Sequence, residues 1–454
     1  MKFIKNLAIG AIAALCLGSA AQAQTVYFRI TGSTAFKAQV HLAIMHALGS
    51  SDGASLPAGS IYAYSGSAGG LGSANVAVFS GSMSINSVST PVIIKTSWSG
   101  SEAGIQSVAY DSGNGLAVNY LYDPSPTGDS THTAASSSGT PGAPDVSTSS
   151  THQDFTISDA CMSDTLQSTS QFFGGNTVGG HTYASLSGVN ASSIGITYFA
   201  FFGTPQAKAD GITNITAEQA LTLFTGGKLP LSFLVPTTTQ TTAQVFAFGR
   251  NPDSGTRLTT MGEIGNGNLG TVKQYYPYDS TSTQINGNIH TTWSYVALVP
   301  PSTVNGIQVP QSNGGYSSGG NLAKSLDGND SSFRTTSTSG PVQPAGSCGI
   351  CYASISDGGN LGNDLGTQLN YNGVAAIDKN VENGTYPLWT YEHMYLSPKA
   401  SANTSVVANA VAAQLQGGDA TGTGCLSLGA MQVQRTGDGG SQITSGGNPN
   451  GNGN

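Results

Sequence analysis

Residues 30–37 read ITGSTAFK, and they place small hydroxyl residues where the apolar run Val26 to Ile30 gives way to a helical pattern. The first N–H groups of a helix have no partners within it, and the helix dipole adds about half a positive charge there. Such a junction can therefore hold an anion. Alternatively, a hydroxyl followed by Lys37 could be the nucleophile of an acyl-transfer enzyme.

Strand-then-helix units recur along the chain, and this alternation predicts an α/β fold class with largely parallel sheets. Hydrophobic periodicity predicts helices at 36–48, 103–109 and 406–415, and a capping box at Thr216 to Gln219 predicts another. Continuous apolar runs predict buried strands at 92–95, 194–202 and 245–248.

The N-terminus has the pattern of a secretory signal peptide. Lys2 and Lys5 precede the apolar run Leu7 to Leu17, and Ala21-Gln22-Ala23 is a small-x-small cleavage site. Later segments do not approach the roughly 20 apolar residues of a membrane helix. We therefore expect a periplasmic or secreted protein, cleaved after Ala23.

The composition is unusually poor in charge. Charged residues make up only 8% of the 454, Gly numbers 62, and the net charge is −8. An acidic chain lacks the basic footprint that nucleic-acid binding requires, yet a local site for one small anion remains compatible with it. The tail from 436 to 454 is Gly- and Asn-rich, so we expect it to be disordered.

Three predicted strand ends finish in hydroxyl and glycine residues at helix starts: Gly32-Ser33-Thr34, Gly100-Ser101 and Ser254-Gly255-Thr256. If they converge, they form a cage of N–H and hydroxyl donors for an oxyanion. Arg250 can add a charge-assisted contact. Asp159 suits an anion that carries a proton, because a carboxylate can accept that proton as a hydrogen bond.

These motifs resemble those of the phosphate-binding proteins, the receptors of phosphate ABC transporters in the periplasmic solute-binding superfamily. The matching segments, in the family's order, are Gly32 to Phe36, Gly100 to Ile105, Asp154 to Asp159, Thr216 to Gly226, Arg250 to Thr256 and Asn383 to Leu388. Together they span most of residues 26–415.

The resemblance implies a two-lobe, type II-like periplasmic binding fold with mixed sheets and a hinge. It implies lobe 1 at 24–200, completed by 370–435, and lobe 2 at 201–369. It also implies capture of hydrogen phosphate, an ABC permease as partner, no cofactor and a monomer without enzymatic activity. The phosphate contacts it implies are Ser33, Thr34, Ala35, Phe36, Ser101, Asp159, Arg250, Ser254, Gly255 and Thr256.

Two rival functions remain. The acyl-transfer motif needs Ser and Lys three residues apart on a helix, whereas Ser33 and Lys37 are four apart. The low charge also suits a secreted or cell-surface structural protein on a degenerate phosphate-binding fold. For the four cysteines Cys161, Cys348, Cys351 and Cys425, the pairing stays open, and we expect a local disulfide within Cys348 to Cys351.

Overall fold

The structure is a computed structural model of the chain. It describes residues 24–446 except 66–69, 111–117, 129–132, 143–153, 157, 280–282, 286–287, 291–292, 305, 328–343 and 363–365. The predicted signal peptide and the last eight residues of the predicted tail lie outside the described residues.

One large mixed sheet organises the described chain. Its strands in chain order are β1 Val26–Gly32, β2 Ile61–Ser65, β3 Val76–Ile85, β4 Val88–Ser97, β5 Thr140–Gly142, β6 Ala160–Ser163, β7 Ser187–Gly203, β8 Lys228–Pro230, β9 Gln244–Phe248, β10 Cys348–Ser354, β11 Thr367–Gln368, β12 Trp389–Leu396 and β13 Cys425–Leu426. Their spatial order is β8-β9-β10-β7-β12-β6-β1-β4-β3-β2-β5, and β11 and β13 also pair with β7.

Helices cover and connect these strands. They are α1 Lys37–Ala47, α2 Ser101–Ala109, α3 Pro205–Ala209, α4 Ala217–Gly226, α5 Gly255–Glu263, α6 Gly319–Asp327, α7 Ile355–Gly362, α8 Asp378–Glu382 and α9 Ala402–Gln414. The predicted capping box at the start of α4 is confirmed, because Gln219 N donates to Thr216 Oγ1 at 3.2 Å and Thr216 N donates to Gln219 Oε1 at 2.9 Å.

Shorter elements lie outside the large sheet. Two-stranded pairs join Val118–Tyr120 with Asp154–Thr156, Pro124–Ser125 with Thr133–Ala134, Thr177–Val178 with His181–Thr182, Asn214–Ile215 with Asn370–Tyr371, Tyr275–Asp279 with Trp293–Leu298, Thr283–Ile285 with Asn288–His290, Ser302–Val304 with Ile307–Val309 and Val433–Arg435 with Ile443–Ser445. Single turns of 3₁₀ helix lie at Leu71–Ser73, Gln167–Thr169, Leu231–Phe233 and Leu428–Ala430, and a π-helical turn lies at Leu415–Asp419.

The predicted α/β class with a mixed sheet is confirmed. Strands β6, β1 and β4 run parallel and adjacent, as do β9 and β10. Among the described strands of the large sheet, however, antiparallel pairings are more frequent than parallel ones, because β3, β7 and β12 all run against their neighbours. The carboxyl ends of the parallel strands β6, β1 and β4 therefore lie side by side.

Two large hydrophobic cores flank the long strand β7. One contains Phe28 and Ile30 of β1 together with apolar residues of α1 and α9. The other contains Phe199 to Phe202 of β7, the apolar faces of α4 and α5, and Tyr371 to Tyr391. Strand β7 contributes to both cores, so the two halves of the molecule share a continuous backbone element.

The C-terminal segment 433–446 is ordered where we had predicted disorder from 436 onward. The pair Val433–Arg435 and Ile443–Ser445 forms a hairpin, and the Asp438 side chain is buried. Asp438 Oδ1 accepts from Thr390 Oγ1 at 2.8 Å, and Oδ2 accepts from Leu166 N. Composition alone missed this, because the buried Asp438 carboxylate and the Arg435 side chain, which donates to Glu263 Oε2 at 3.1 Å, hold a segment that has little apolar surface.

Within the described part of the chain, no helix has both the length and the apolar character of a membrane span.

Candidate functional site

Three parallel strands, β6, β1 and β4, end side by side, and their loops are joined by backbone bonds. Gly100 N donates to the Gly32 carbonyl at 2.8 Å, and Ser33 N donates to the Met162 carbonyl at 2.9 Å. Gly32 has a φ of +119°, and a Cβ here would overlap the Met162 carbonyl oxygen. Only glycine allows β1 and β6 to approach so closely at this turn.

The first turn of α5 packs against the same loops. Glu102 N donates to the Asp253 carbonyl at 3.0 Å. A Cβ on Gly255 would overlap Asp164 Oδ1 and lie 2.8 Å from Ser101 Cβ. Two helix N-termini, of α2 and α5, therefore meet at the carboxyl ends of the parallel strands, the usual ligand position in α/β sheets. We name the segments that meet here the strand-end cluster: 32–33, 100–102, 162–165 and 253–257.

The cluster is lined by buried hydroxyl groups. Ser101 Oγ donates to Asp164 Oδ1 at 2.5 Å. Ser254 Oγ caps α5 by accepting from the N–H three residues on, at 3.3 Å. Thr256 is 3% exposed. Ser33 Oγ is buried and makes no hydrogen bond of ordinary geometry with any described residue, so it is a polar atom in need of a partner.

A buried arginine supplies positive charge beside the cluster. Arg250 is 2% exposed, its Nε donates to the Tyr316 carbonyl at 3.2 Å and its Nη2 to the Ser317 carbonyl at 3.0 Å. Its charge partly offsets the burial that raises the pKa of Asp164. Arg257 donates to the Arg250 carbonyl at 3.2 Å and so braces the loop after β9. Fixed guanidinium geometry of this kind suits an oxyanion.

Acidic groups lie beside these donors, and burial favours the neutral, protonated form of each carboxyl. Burial raises the pKa of Asp164 from 3.8 to about 6, although Ser101 and Arg250 act in the opposite direction. Burial also raises the pKa of Glu102 from 4.5 to about 7. Glu392 on β12 is fully buried, and burial followed by the nearby Asp164 charge raises its pKa well above the ordinary value. A proton is therefore readily held here.

The effect of Glu102 on stability at different pH values tests whether its buried carboxyl holds a proton. Its carboxyl accepts from Thr165 Oγ1 at 2.9 Å and from Ser170 Oγ at 2.5 Å. Because its folded pKa of about 7 lies above the ordinary 4.5, the folded state loses stability as pH rises from about 4.5 through 7. We expect Glu102→Gln to stabilise the protein at pH 8 by up to about 3 kcal/mol, at about 1.4 kcal/mol per pKa unit, and to have little effect at pH 4.

Urea denaturation at the two pH values measures this difference. Exposed Glu218→Gln on α4 is the matched control, and we expect its effect to be small and independent of pH. A Glu102→Gln variant that is equally destabilised at both pH values would contradict the buried, proton-holding carboxyl.

The prediction for Asp159 is wrong in its geometry, because the structure does not bring Asp159 to the cluster. Asp159 precedes β6, where its Oδ2 accepts from Arg29 N at 2.8 Å. Asp164 comes five residues later, and at about 3.3 Å per residue of extended chain it lies roughly 16 Å further along the strand direction. The reason is register: the carboxyl end of β6, not its start, lies beside Gly32.

The predicted residues Thr34, Ala35 and Phe36 diverge from Ser33. Thr34 and Ala35 line a cavity of about 360 Å³ whose opposite wall includes Ser356 and Asp357 at the start of α7. Phe36 is fully buried at the start of α1. Of the ten residues predicted, the structure therefore gathers Ser33, Ser101, Arg250 and Ser254 to Thr256 at the strand-end cluster, with Thr34 and Ala35 at its side.

The lysine of the acyl-transfer rival does not contact a hydroxyl of the opening loop. Lys37 Nζ donates to Asn75 Oδ1 at 3.1 Å. A nucleophilic Ser or Thr would need its base within hydrogen-bond reach. This arrangement gives the enzyme interpretation no support.

The predicted local disulfide is wrong. The four described cysteines are free and buried. Cys348 and Cys351 both lie in β10, where three residues of strand separate their Cα atoms by roughly 10 Å. A disulfide spans Cα atoms about 4.4–6.8 Å apart. The extended backbone, which the glycine-rich flank had concealed, keeps the two thiols apart.

Comparison with solved structures finds likenesses at fold level. One is a protein from Clostridium perfringens provisionally assigned as a phosphate ABC transporter substrate-binding protein, solved with bound phosphate, with 13% identity, a TM-score of 0.38, and coverage of 85% of this chain and 92% of that one. Another is an ABC-type phosphate transport receptor from Vibrio cholerae, with 12% identity, a TM-score of 0.36, and coverage of 86% and 96%. At such identities and TM-scores the likeness says nothing about the ligand of the present chain. No family model and no curated protein matches the sequence.

Sequence reasoning missed Asp164 within the strand-end cluster and Glu392 beside it. Asp164 had a signal: the spacing D-x-x-x-S-D occurs twice, at 154–159 and again at 159–164. The phenylalanine after Asp154 favoured the first copy. Glu392 had no signal, because it lies within the mixed polar and apolar strand β12 and comes near the cluster only through the pairing of β12 with β6 and β7.

Proposed function

We propose that this chain is an exported solute-binding protein that captures inorganic phosphate, as hydrogen phosphate, for ABC-type uptake. The observation that carries the proposal is the meeting of the α2 and α5 N-termini with buried Arg250 and unpartnered Ser33 Oγ at one point. Convergent N–H groups, hydroxyls and one guanidinium are complementary to a tetrahedral oxyanion.

Asp164 gives the proposal its preference for a protonated anion. A carboxylate repels a fully ionised ion such as sulfate, but it accepts a hydrogen bond from the proton of hydrogen phosphate. Arsenate has the same shape and protonation, so it competes for the site. In this proposal Asp164 takes the role that the sequence had assigned to Asp159.

The proposal includes a division into two lobes, 24–200 with 370–435 and 201–369, that close on the ligand about a hinge. Ser33, Ser101 and Asp164 would belong to one lobe, and Arg250 and Gly255 to the other. Hinge closure of this kind brings ligand groups together from two sides. The remaining parts of the proposal are a periplasmic or secreted location, action as a monomer, and delivery of phosphate to an inner-membrane permease.

Selectivity between anions tests the proposal. We expect Asp164→Asn to lose at least about tenfold of the phosphate-over-sulfate preference, since a hydrogen bond to a charged group is worth about 1.5–3 kcal/mol. Calorimetric titration of purified protein with phosphate, arsenate and sulfate measures it. Asp159→Asn is the matched control, because the same change is made on the same chain segment away from the cluster, and we expect its selectivity to equal that of the wild type.

The structural rival makes a different prediction for the wild type. A ligand at 100 times its dissociation constant stabilises a protein by about 2.7 kcal/mol. If millimolar phosphate leaves the melting temperature unchanged, the phosphate proposal is rejected and a secreted structural protein on a degenerate binding fold is favoured.

A further inference from the structure

Glu392 lies near Asp164 at the end of a strand ladder. In the antiparallel pairing of β6 with β12, Met162 is opposite Met394 and Ser163 is opposite His393. Asp164 and Glu392 directly follow and precede the last of these paired residues, and the charge of Asp164 acts on Glu392. Cross-strand residues on one face interact directly, and two carboxylates in these positions repel each other. The pair is therefore an unusual choice unless one member keeps its proton.

The surroundings of Glu392 are polar, and the charges that act on it most strongly are both negative. Thr197 Oγ1 on β7 donates to its Oε2 at 3.3 Å. Burial first, then the charges of Asp164 just after β6 and of Asp438 in the C-terminal segment, raise the pKa of Glu392, whereas interactions with the Thr197 and Ser33 hydroxyls lower it. Burial beside two acids favours the neutral form.

Two polar atoms of this corner make no hydrogen bond of ordinary geometry with any described residue, although the Ser33 and Glu392 side chains lie close enough to interact with each other. They are Glu392 Oε1 and Ser33 Oγ, both buried. Glu392 is 0% exposed and Ser33 is 1% exposed, so bulk water does not satisfy either of them. Buried polar atoms are normally paired, and an unpaired set beside two helix N-termini points to a ligand.

Resting on the proposed function, we propose that Glu392 is a further ligand-binding and specificity-determining residue, which donates a hydrogen bond from its neutral carboxyl to an oxygen of the bound anion. A carboxylic acid held neutral in an apolar site can donate to an oxyanion in this way. In this arrangement Asp164 accepts a hydrogen bond from the proton of the ligand, and Glu392 donates a hydrogen bond to a ligand oxygen.

These two roles predict different effects on anion affinity and on the selectivity between anions. Loss of Glu392 removes a donor that phosphate and sulfate use equally, so both bind more weakly. Loss of Asp164 changes their ratio. Glu392 also makes binding weaken at alkaline pH, because an ionised Glu392 would turn a donor into a like charge facing the anion.

Calorimetry with inorganic phosphate and sulfate tests the role in two variants. Glu392→Gln keeps a neutral donor of the same shape, and we expect phosphate affinity within about threefold of the wild type and less loss of affinity at alkaline pH. Glu392→Met keeps the volume without a donor, and we expect about tenfold or greater loss for both anions. A folded Glu392→Met protein with wild-type affinity overturns the inference.

Infrared difference spectroscopy keeps the inference testable if Glu392→Met does not fold. Phosphate addition to the wild type should shift the carbonyl band of a protonated carboxylic acid, and this shift should be absent in Glu392→Gln. If the same shift persists in Glu392→Gln, it belongs to another acid and the inference is overturned. A wild type that binds none of the anions overturns the proposed function and this inference together, whereas wild-type binding with an unaffected Glu392→Met overturns only the inference.

Discussion

Gly255→Ala should reduce phosphate affinity by roughly 5–150-fold or more. The new methyl group would occupy the position of Asp164 Oδ1 and approach Ser101 Cβ. Overpacking at a rigid contact costs about 1–3 kcal/mol and occasionally more. Here the added methyl group pushes α5 away from the loops after β4 and β6. The anion donors of α5 then lie further from those of the two loops.

Calorimetric titration with phosphate measures the effect, and Gly359→Ala is its matched control. Gly359 is also within a helix, α7, but a Cβ there would meet nothing within 4 Å. We expect the control to bind phosphate like the wild type and to be slightly more stable, since Ala favours a helix over Gly by roughly 1 kcal/mol. Equal affinities of the two alanine variants would mean that α5 does not have to meet Asp164 for binding.

Arg250→Ala should weaken phosphate binding by about 1.5–3 kcal/mol, equivalent to roughly 10–150-fold. The substitution removes the buried positive charge beside Asp164 and leaves hydrogen bonds, chiefly that from Ser101, to oppose burial and the charge of Asp438. The pKa of Asp164 should then rise further. Two losses therefore combine, a direct donor to the anion and the charge that keeps Asp164 ready to accept a proton.

Two comparison variants separate these causes. Arg250→Lys keeps a charge but lacks the fork that bonds the Tyr316 and Ser317 carbonyls, so we expect an affinity between those of Arg250→Ala and the wild type. Lys208→Ala removes an exposed positive charge from α3, and it controls for net charge alone. If Arg250→Ala and Lys208→Ala bind phosphate equally well, Arg250 has no direct role in the site.

Local patterns in the sequence predicted the elements near the site because those elements are strongly patterned. The helix expected at 36–48 is α1 at Lys37–Ala47, and the buried strand expected at 245–248 is β9 at Gln244–Phe248. Glycine and hydroxyl residues after strands also identified the converging loops at Ser33, Ser101 and Gly255. Each of these signals is carried within a few residues of chain.

The errors arose where a distant contact decides the outcome. The choice between Asp159 and Asp164 depends on how β6 is aligned with β1, which five residues of sequence cannot specify. Glu392 comes from a strand more than 200 residues beyond β6 in the chain. The expected disulfide failed because tertiary pairing of β10 with β7 and β9 extends the Cys348 segment. For the same reason, the described sheet has more antiparallel and fewer parallel pairings than the sequence predicted.

The ordered C-terminal hairpin has a mechanical consequence for ligand exchange. Asp438 is bonded to the loop after β6 and to β12, while Arg435 is paired with Glu263 of α5 at 3.1 Å. In the proposed two-lobe division, this segment is bonded to residues of both lobes. Opening of the lobes would have to break these bonds, so we expect the residence time of a bound ion to depend on how firmly segment 433–446 is held.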